Sequence, residues 1–372
     1  MIYRTFQDLK LSALGFGGMR LPKREDNSVD VAAVCEMVDC AMAGGVNYYD
    51  TAWGYHNGQS ETALGQALNR HPRDSYYIAD KFPGYDLRNM DKVETIFPEQ
   101  LKRTGMDYFD FYLFHNVNEL NIDCYLDDEK YGIYTYLMEQ KKNGRIRHLG
   151  FSAHGDLPVL ERFLAAYGKD MEFCQLQINW VDWEFQKAKK KVELLRKWNI
   201  PVWVMEPLRG GKLVNLSADV EERLRAMRPG ETNPGWAFRF LQTIDDVAVT
   251  LSGMSTIEQL RDNLRTFETH APLNENEWGA VLSLGRELTK GVPCTACRYC
   301  TERCPKGLDI PQLLELYNEQ SFGGNGFLVP MRIKVMGKEK HPSNCLGCRS
   351  CEAVCPQNIK ISEALKDFAE KL

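Results

Sequence analysis

Up to about residue 270 the chain alternates two apolar patterns. Short runs rich in β-branched and aromatic residues are followed by longer runs whose apolar positions recur at helical spacing. The short runs predict strands over residues 14–19 (LGFGGM), 46–52 (VNYYDTA), 76–82 (YYIADKF) and 109–115 (FDFYLFH). Four more follow at 146–153 (IRHLGFSA), 173–179 (FCQLQIN), 201–208 (PVWVMEPL) and 247–254 (VAVTLSGM). Amphipathic stretches such as VAAVCEMVDCAMAGG (31–45), SETALGQALNR and YTYLMEQKKNG predict the intervening helices, closed by glycine or by the His71–Pro72 breaker. KAKKK (187–191) reads as the solvated face of one of them. Eight strand–helix units suggest an α/β fold closed as a (β/α)8 TIM barrel. A doubly wound sheet is the rival. Its first turn would carry G-x-G-x-x-G, whereas GFGGMRLP lacks the third spacing and runs into Pro22.

After residue 270 the rhythm changes. NENEWGAVLSLGRELTK predicts one more helix, and two cysteine runs follow, separated by the glycine-rich SFGGNGF. The expected division is a barrel over 1–290 and a small, mostly helical domain over 291–372. A net charge of −5 gives no reason to expect a nucleic-acid partner. The opening MIYRTFQDLK has no apolar signal region, and no stretch approaches the ~20 apolar residues of a membrane span. The expectation is a cytoplasmic protein without a membrane partner. Cys35, Cys40, Cys124 and Cys174 are scattered in apolar settings and read as buried small hydrophobes.

Barrel chemistry gathers at the C-terminal strand ends. Strand two ends in Asp50 with Tyr55 shortly after, strand three in Lys81, strand four in His115. A core strand has no packing reason to end so. A phenol has a pKa near 10, which a neighbouring ammonium lowers, and a carboxylate can hold that ammonium. A histidine can donate to a carbonyl oxygen. The set suits carbonyl reduction, with hydride arriving on carbon while Tyr55 protonates oxygen, or the reverse oxidation. Trp53, His56, Trp180 and Trp183 are candidates for the substrate pocket.

YYDTAWGYHNGQSETALGQAL (48–68) resembles the D-T-A-x-x-Y-x-x-G-x-S-E stretch of the aldo/keto reductase family, and Lys81 in IADKF and His115 in YLFHN stand at its other catalytic positions. The resemblance spans roughly residues 1–270. It implies a (β/α)8 barrel that binds a nicotinamide dinucleotide without a Rossmann motif, with Asp50, Tyr55, Lys81 and His115 as its tetrad and Tyr55 as general acid. It also implies cofactor positions. Gly18 and Met19 lie at the first turn. Ser152 and Gln175 would meet the carboxamide, with Ala153 where an Asn is usual. Pro207, Leu208, Gly210 and Gly211 belong to a loop around the pyrophosphate. Gly253, Gln259 and Asn263 fall in the segment at the adenosine end. Family members often carry Lys and Arg where Gly253 and Gln259 stand. Losing two charge-assisted bonds of roughly 1.5–3 kcal/mol each would weaken a preference for NADPH. Arg261 or Arg265 could compensate, so the cofactor is left as NADP(H) or NAD(H).

The cysteine runs are Cys294-x2-Cys297-x2-Cys300-x3-Cys304-Pro305 and Cys345-x2-Cys348-x2-Cys351-x3-Cys355-Pro356. Each matches the bacterial-ferredoxin spacing for a [4Fe–4S] cluster, in which the fourth Cys serves the other cluster. Disulfides suit an oxidising compartment, for which nothing here speaks. Zinc sites usually come as separated C-x2-C pairs. The expected ligand sets are Cys294, Cys297, Cys300 and Cys355 for one cluster, and Cys345, Cys348, Cys351 and Cys304 for the other. Residues 294–372 carry 11 basic and 9 acidic side chains, a net +2, which suggests a docked module that could meet an acidic redox-protein partner.

The combined expectation is an NAD(P)(H)-dependent oxidoreductase acting on a small carbonyl or alcohol, with two electron-transfer clusters. Clusters pass single electrons and nicotinamide a hydride, so coupling them calls for a converter such as a flavin, for which no motif is legible. The rivals are a non-catalytic, nucleotide-binding redox sensor and an electron-transfer subunit with structural clusters.

Overall fold

A computed structural model describes every residue except Asn325, which falls within the glycine-rich stretch at 321–327. The chain divides into two units, Met1–Val281 and Leu282–Leu372. In the first, a hairpin of β1 (Tyr3–Phe6) and β2 (Leu9–Ser12) precedes eight strands. These are β3 (Leu14–Gly17), β4 (Tyr48–Asp50), β5 (Tyr77–Phe82), β6 (Phe109–Val117), β7 (Ile146–Ala153), β8 (Cys174–Gln177), β9 (Val202–Met205) and β10 (Val247–Ser252). They pair in parallel and in chain order, and β10 returns to β3 to close the barrel. All eight strands expected from the sequence are present. The hairpin is additional, and the first strand stops at Gly17, because Gly18–Arg20 turns into a 3-10 helix.

The period-two alternation of a strand decides what fills the barrel. Tyr48, Ala79, Phe111, Leu113, Phe173, Trp203 and Leu251 share one buried cluster with Phe6 and Leu11 of the hairpin. Phe6 meets Trp203 edge-on at 5.0 Å and His148 at 5.1 Å, so the hairpin plugs the N-terminal mouth. Gly15 points inward where a Cβ would lie 2.7 Å from the Leu251 side chain, so only hydrogen fits. Two residues beyond Tyr48, Ala79 and Leu113 come Asp50, Lys81 and His115, on the same inner face at the opposite end.

The second unit has helices over Ile310–Gly323, Leu328–Met336 and Ile361–Lys371 around a core that includes Leu308, Leu313, Leu314, Leu365 and Phe368. Residues 294–310 and 345–361 repeat one another at an offset of 51. The repeat extends to the backbone. Ala296 and Gly347, Arg298 and Arg349, and Gly307 and Asn358 all occupy the left-handed region. Among the described residues no helix is long and apolar enough to cross a membrane.

Two expectations need correction. Cys174 is buried, but Cys35, Cys40 and Cys124 are only partly so, because they sit on helix flanks rather than on the core face. In KAKKK, Lys187, Lys189 and Lys190 are exposed but Lys191 is buried, since it shares the inner face of its helix with Val192 and Leu195.

Candidate functional site

At the C-terminal mouth of the barrel Lys81 is wholly buried. Its ammonium donates to Asp50 Oδ1 at 2.6 Å and to the Thr51 carbonyl at 2.6 Å. Gln175 Nε2 donates to the other Asp50 oxygen at 3.4 Å. The Lys81 Nζ lies 5.2 Å from the centre of the Tyr55 ring. The His115 ring meets Tyr55 edge-on at 6.1 Å, and its Nδ1 is buried without a hydrogen-bond partner among the described residues. The four tetrad candidates therefore converge, with Tyr55 the partly exposed member.

The electrostatics differ from the expectation at one point. Lys81 was expected to lower the Tyr55 phenol, yet burial, followed by the carboxylates of Asp50, Glu206 and Asp80, holds it well above its ordinary value. The lysine's charge is engaged by Asp50. Burial raises Asp50 too, partly offset by Lys81 and Gln175. Burial, then the charges of Lys81 and His154, holds His115 well below the usual histidine range. The site thus presents a neutral phenol and a neutral imidazole at neutral pH.

The remaining residues of the 50–61 stretch hold this arrangement. Ser60 Oγ donates to the Gly18 carbonyl at 3.0 Å and lies 2.9 Å from Thr51 Oγ1. A Cβ on Gly18 would fall 2.7 Å from Ser60 Oγ and 2.9 Å from the Asp50 carbonyl, so glycine is required there. Glu61 is buried and takes bonds from Arg103 at 2.9 Å and Gln100 at 3.0 Å. Gln100 also donates to Asp80 at 2.8 Å and to the Lys81 carbonyl at 3.0 Å, which fixes the end of β5.

The remaining rim positions are placed as follows. Ser152 and Gln175 are paired neighbours on β7 and β8, and Ser152 Oγ accepts from the Asn116 N–H at 2.7 Å. In the loop after β9, Glu206, Arg209, Gly210 and Gly211 are all left-handed, around Pro207 and Leu208. Arg209 anchors this loop to buried Asp182 at 2.9 Å, and Asn179 bonds the Glu206 carbonyl at 3.0 Å. Met19 is exposed. Gln259 Oε1 accepts from the Ser255 N–H at 2.8 Å, and Asn263 donates to Ser252 Oγ at 2.9 Å. Arg265 is paired with Asp262 at 2.8 Å. Arg20, which sequence reasoning missed, lies across Gly253. A Cβ there would meet its side chain at 3.1 Å, and one on Gly210 would lie 3.6 Å from its guanidinium.

In the second unit the cysteines sort into two voids that cross the runs. Cys294, Cys297, Cys300 and Cys355 line one. Cys304, Cys345, Cys348 and Cys351 line the other. Among the described residues no three His, Cys, Asp or Glu side chains converge on a point as one metal ion would require. Soft thiols set around the walls of a void fit a cluster better than zinc.

The sequence model of the Aldo/keto reductase family matches residues 13–286. The chain belongs to the aldo/keto reductase family. A 4Fe-4S dicluster domain matches residues 293–359. The reductase is 25% identical over 232 residues to "Probable aldo-keto reductase 1" of Glycine max, covering 59% of this chain and 64% of that one. It is 26% identical over 334 residues to the "NADH-specific methylglyoxal reductase" of Escherichia coli, covering 77% and 97%. Among solved structures, the holo aldo-keto reductase AKR11C1 of Bacillus halodurans superposes with a TM-score of 0.63 at 25% identity, over 76% of this chain and 96% of that one. An aldo-keto reductase of Klebsiella pneumoniae in complex with NADPH shares the fold, with a TM-score of 0.61 at 18% identity over 76% and 95%. The reductase fold, the expected family and the iron–sulfur domain are thereby established. A flavin finds no support.

A cavity of about 720 Å³ is lined by Trp53, Asn57, Tyr85 and Arg103, among others. Trp53 lies 3.6 Å beneath the Arg103 guanidinium. Tyr85 meets His115 edge-on at 5.1 Å, which makes it a candidate wall of the substrate site that the sequence did not flag. His56 accepts from the Leu21 N–H at 3.0 Å and is a loop brace. Trp180 and Trp183 are buried, and Trp183 packs on Phe240 and Trp278.

Proposed function

We propose that this reductase interconverts a small carbonyl and its alcohol with NADP(H) or NAD(H), using Asp50, Tyr55, Lys81 and His115, and that its cysteines hold two [4Fe–4S] clusters for electron exchange with a redox protein. When bound, the nicotinamide supplies or accepts a hydride and the clusters supply single electrons. Tyr55 gives its phenolic proton to the carbonyl oxygen as hydride reaches the carbon, and takes a proton back from solvent. Neutral His115 donates to the same oxygen and orients it. Lys81, held by Asp50, places positive charge beside the phenolate that forms. Ser152 and Gln175 are the carboxamide partners. The left-handed N–H groups around Gly210 and Gly211, with Gly18, Met19, Pro207 and Leu208, form the cradle for the pyrophosphate. Gly253, Gln259 and Asn263 belong to the adenosine end. Arg20 brings a cation to Gly253, where side-chain charge is otherwise missing. Cys294, Cys297, Cys300 and Cys355 hold one cluster, and Cys304, Cys345, Cys348 and Cys351 the other.

The observation that carries this reading is the buried Lys81–Asp50 pair beneath a partly exposed Tyr55. Burying an ion pair costs several kcal/mol of desolvation per ion, which a module that only bound nucleotides would have no reason to bear. Tyr55→Phe is expected to reduce kcat on an aldehyde panel by about 10²–10⁴-fold, the range of a lost general acid, while cofactor affinity changes less than about twofold. Unchanged turnover would remove Tyr55 from its role.

A further inference from the structure

The two cysteine voids are related by the 51-residue repeat, yet their walls differ in charge. The first has one cation, Arg298, and Asp309 neutralises it at 2.5 Å. The second is lined by Arg303, Lys306 and Arg349, with no carboxylate in its wall. At the matched positions of the repeat stand Val354 for Arg303, Gln357 for Lys306 and Thr295 for Leu346. Enclosing a cluster therefore does not require these cations, because the first void does without two of them.

The same side chains reach the surface. Leu346 is 61% exposed, and Cys348, Arg303, Lys306 and Arg349 are exposed. Lys340 adds a further cation, its ammonium bonded to the Gly307 carbonyl at 2.8 Å beside Lys306. Two carboxylates stand near this face: Glu363, more than half exposed, lies 3.6 Å from Arg349 and 3.9 Å from Lys360, and the Glu352 carboxylate also feels the Arg349 charge. An exposed leucine set among Arg303, Lys306, Lys340 and Arg349 has the apolar centre and predominantly cationic rim of a docking surface. Such a rim raises the encounter rate with an oppositely charged protein.

We propose that this face is the docking surface for a small acidic one-electron carrier protein. The inference rests on the cluster reading above. One electron passes from the reduced carrier to the group held behind Cys348, or in reverse. The carrier is oxidised by that one electron, and no bond or proton moves.

The test uses the anaerobically purified full chain and, as probe, a reduced ferredoxin of strongly negative net charge, with cluster reduction followed by stopped-flow absorbance. Three forms are compared: the wild type, the set Arg303→Glu, Lys306→Glu and Arg349→Glu, and a control set of equal charge change on exposed barrel lysines, Lys92→Glu, Lys142→Glu and Lys169→Glu. The wild-type second-order rate is expected to fall steeply with salt. The first set should be at least about tenfold slower at low salt and lose that dependence, while the control set stays within about twofold of wild type. A glutamine set at 303, 306 and 349 should be intermediate. Iron and sulfide analysis, and reduction by a small uncharged photoreductant, show whether each variant keeps its clusters. A salt slope unchanged in the first set, or a control set equally slowed, would overturn the docking surface alone. Absence of iron and sulfide from the wild type would overturn the cluster reading and the proposal with it.

Discussion

Lys81 shows how much of the site depends on single neighbours. Its ammonium is satisfied by Asp50 and the Thr51 carbonyl, and its backbone N–H donates to Asp80 at 2.8 Å. Asp80 itself lies against Glu61. Burial first, and then the Glu61 charge, push Asp80 well above its ordinary value. A carboxyl raised in the folded state binds its proton more tightly than in the unfolded chain. Its cost to stability is therefore absent below the unfolded pKa near 4 and grows as pH rises above it. Asp80→Asn is isosteric, and its amide could donate to Glu61. It is expected to raise Tm by roughly 2–4 °C at pH 7–8, with no difference from wild type at pH 4. A pH-independent offset in thermal melts would contradict the shared burial of the two carboxyls. At this scale the convergence of the four tetrad candidates was legible because titratable residues end successive strands. Arg20, Tyr85 and the Asp182–Arg209 anchor were not, since each acts through a contact between loops distant in the chain.

At the scale of elements, the eight barrel strands were legible from their apolar runs, and the hairpin was not. YRTF and LKLS are short and half polar, and only the aromatic ring of Phe6 entering the barrel explains them. Phe6 also packs on Phe111 at 5.8 Å, so its loss would open a cavity at the barrel floor. Phe6→Ala is expected to cost about 3–5 kcal/mol in urea unfolding and to leave the kcat of the remaining folded protein near wild type, because the proposed tetrad lies at the other end. A cost below about 1 kcal/mol would show that the hairpin is not a plug. The packing of Trp183 on Phe240 and Trp278 was not legible for a related reason. An aromatic just past a strand end can face the mouth or the surrounding helices, and local pattern does not say which.

At the scale of the whole molecule, the cysteine spacing carried the crossed ligand sets, and the two voids are lined accordingly. The 51-residue repeat explains the crossing. Each run turns away at its Cys-Pro and delivers its last thiol and the following apolar pair, Leu308 and Ile310 or Ile359 and Ile361, to the other void. Cys304→Ser and Cys345→Ser are therefore expected to alter one and the same cluster signal by electron paramagnetic resonance, and Cys297→Ser and Cys355→Ser the other. If Cys304→Ser instead alters the signal that Cys297→Ser alters, the runs do not cross.

The central claim is that the barrel passes hydride to a carbonyl carbon with Tyr55 as the proton source. It is tested most directly by single-turnover transfer from nicotinamide cofactor deuterated at C4, offered in turn as NADPH and NADH, to an aldehyde under anaerobic conditions. The expected result is alcohol carrying one deuterium on the former carbonyl carbon with wild type, and formation of that alcohol about 10²–10⁴-fold slower with Tyr55→Phe. Alcohol without the label, or labelled alcohol formed at the same rate by Tyr55→Phe, would contradict it.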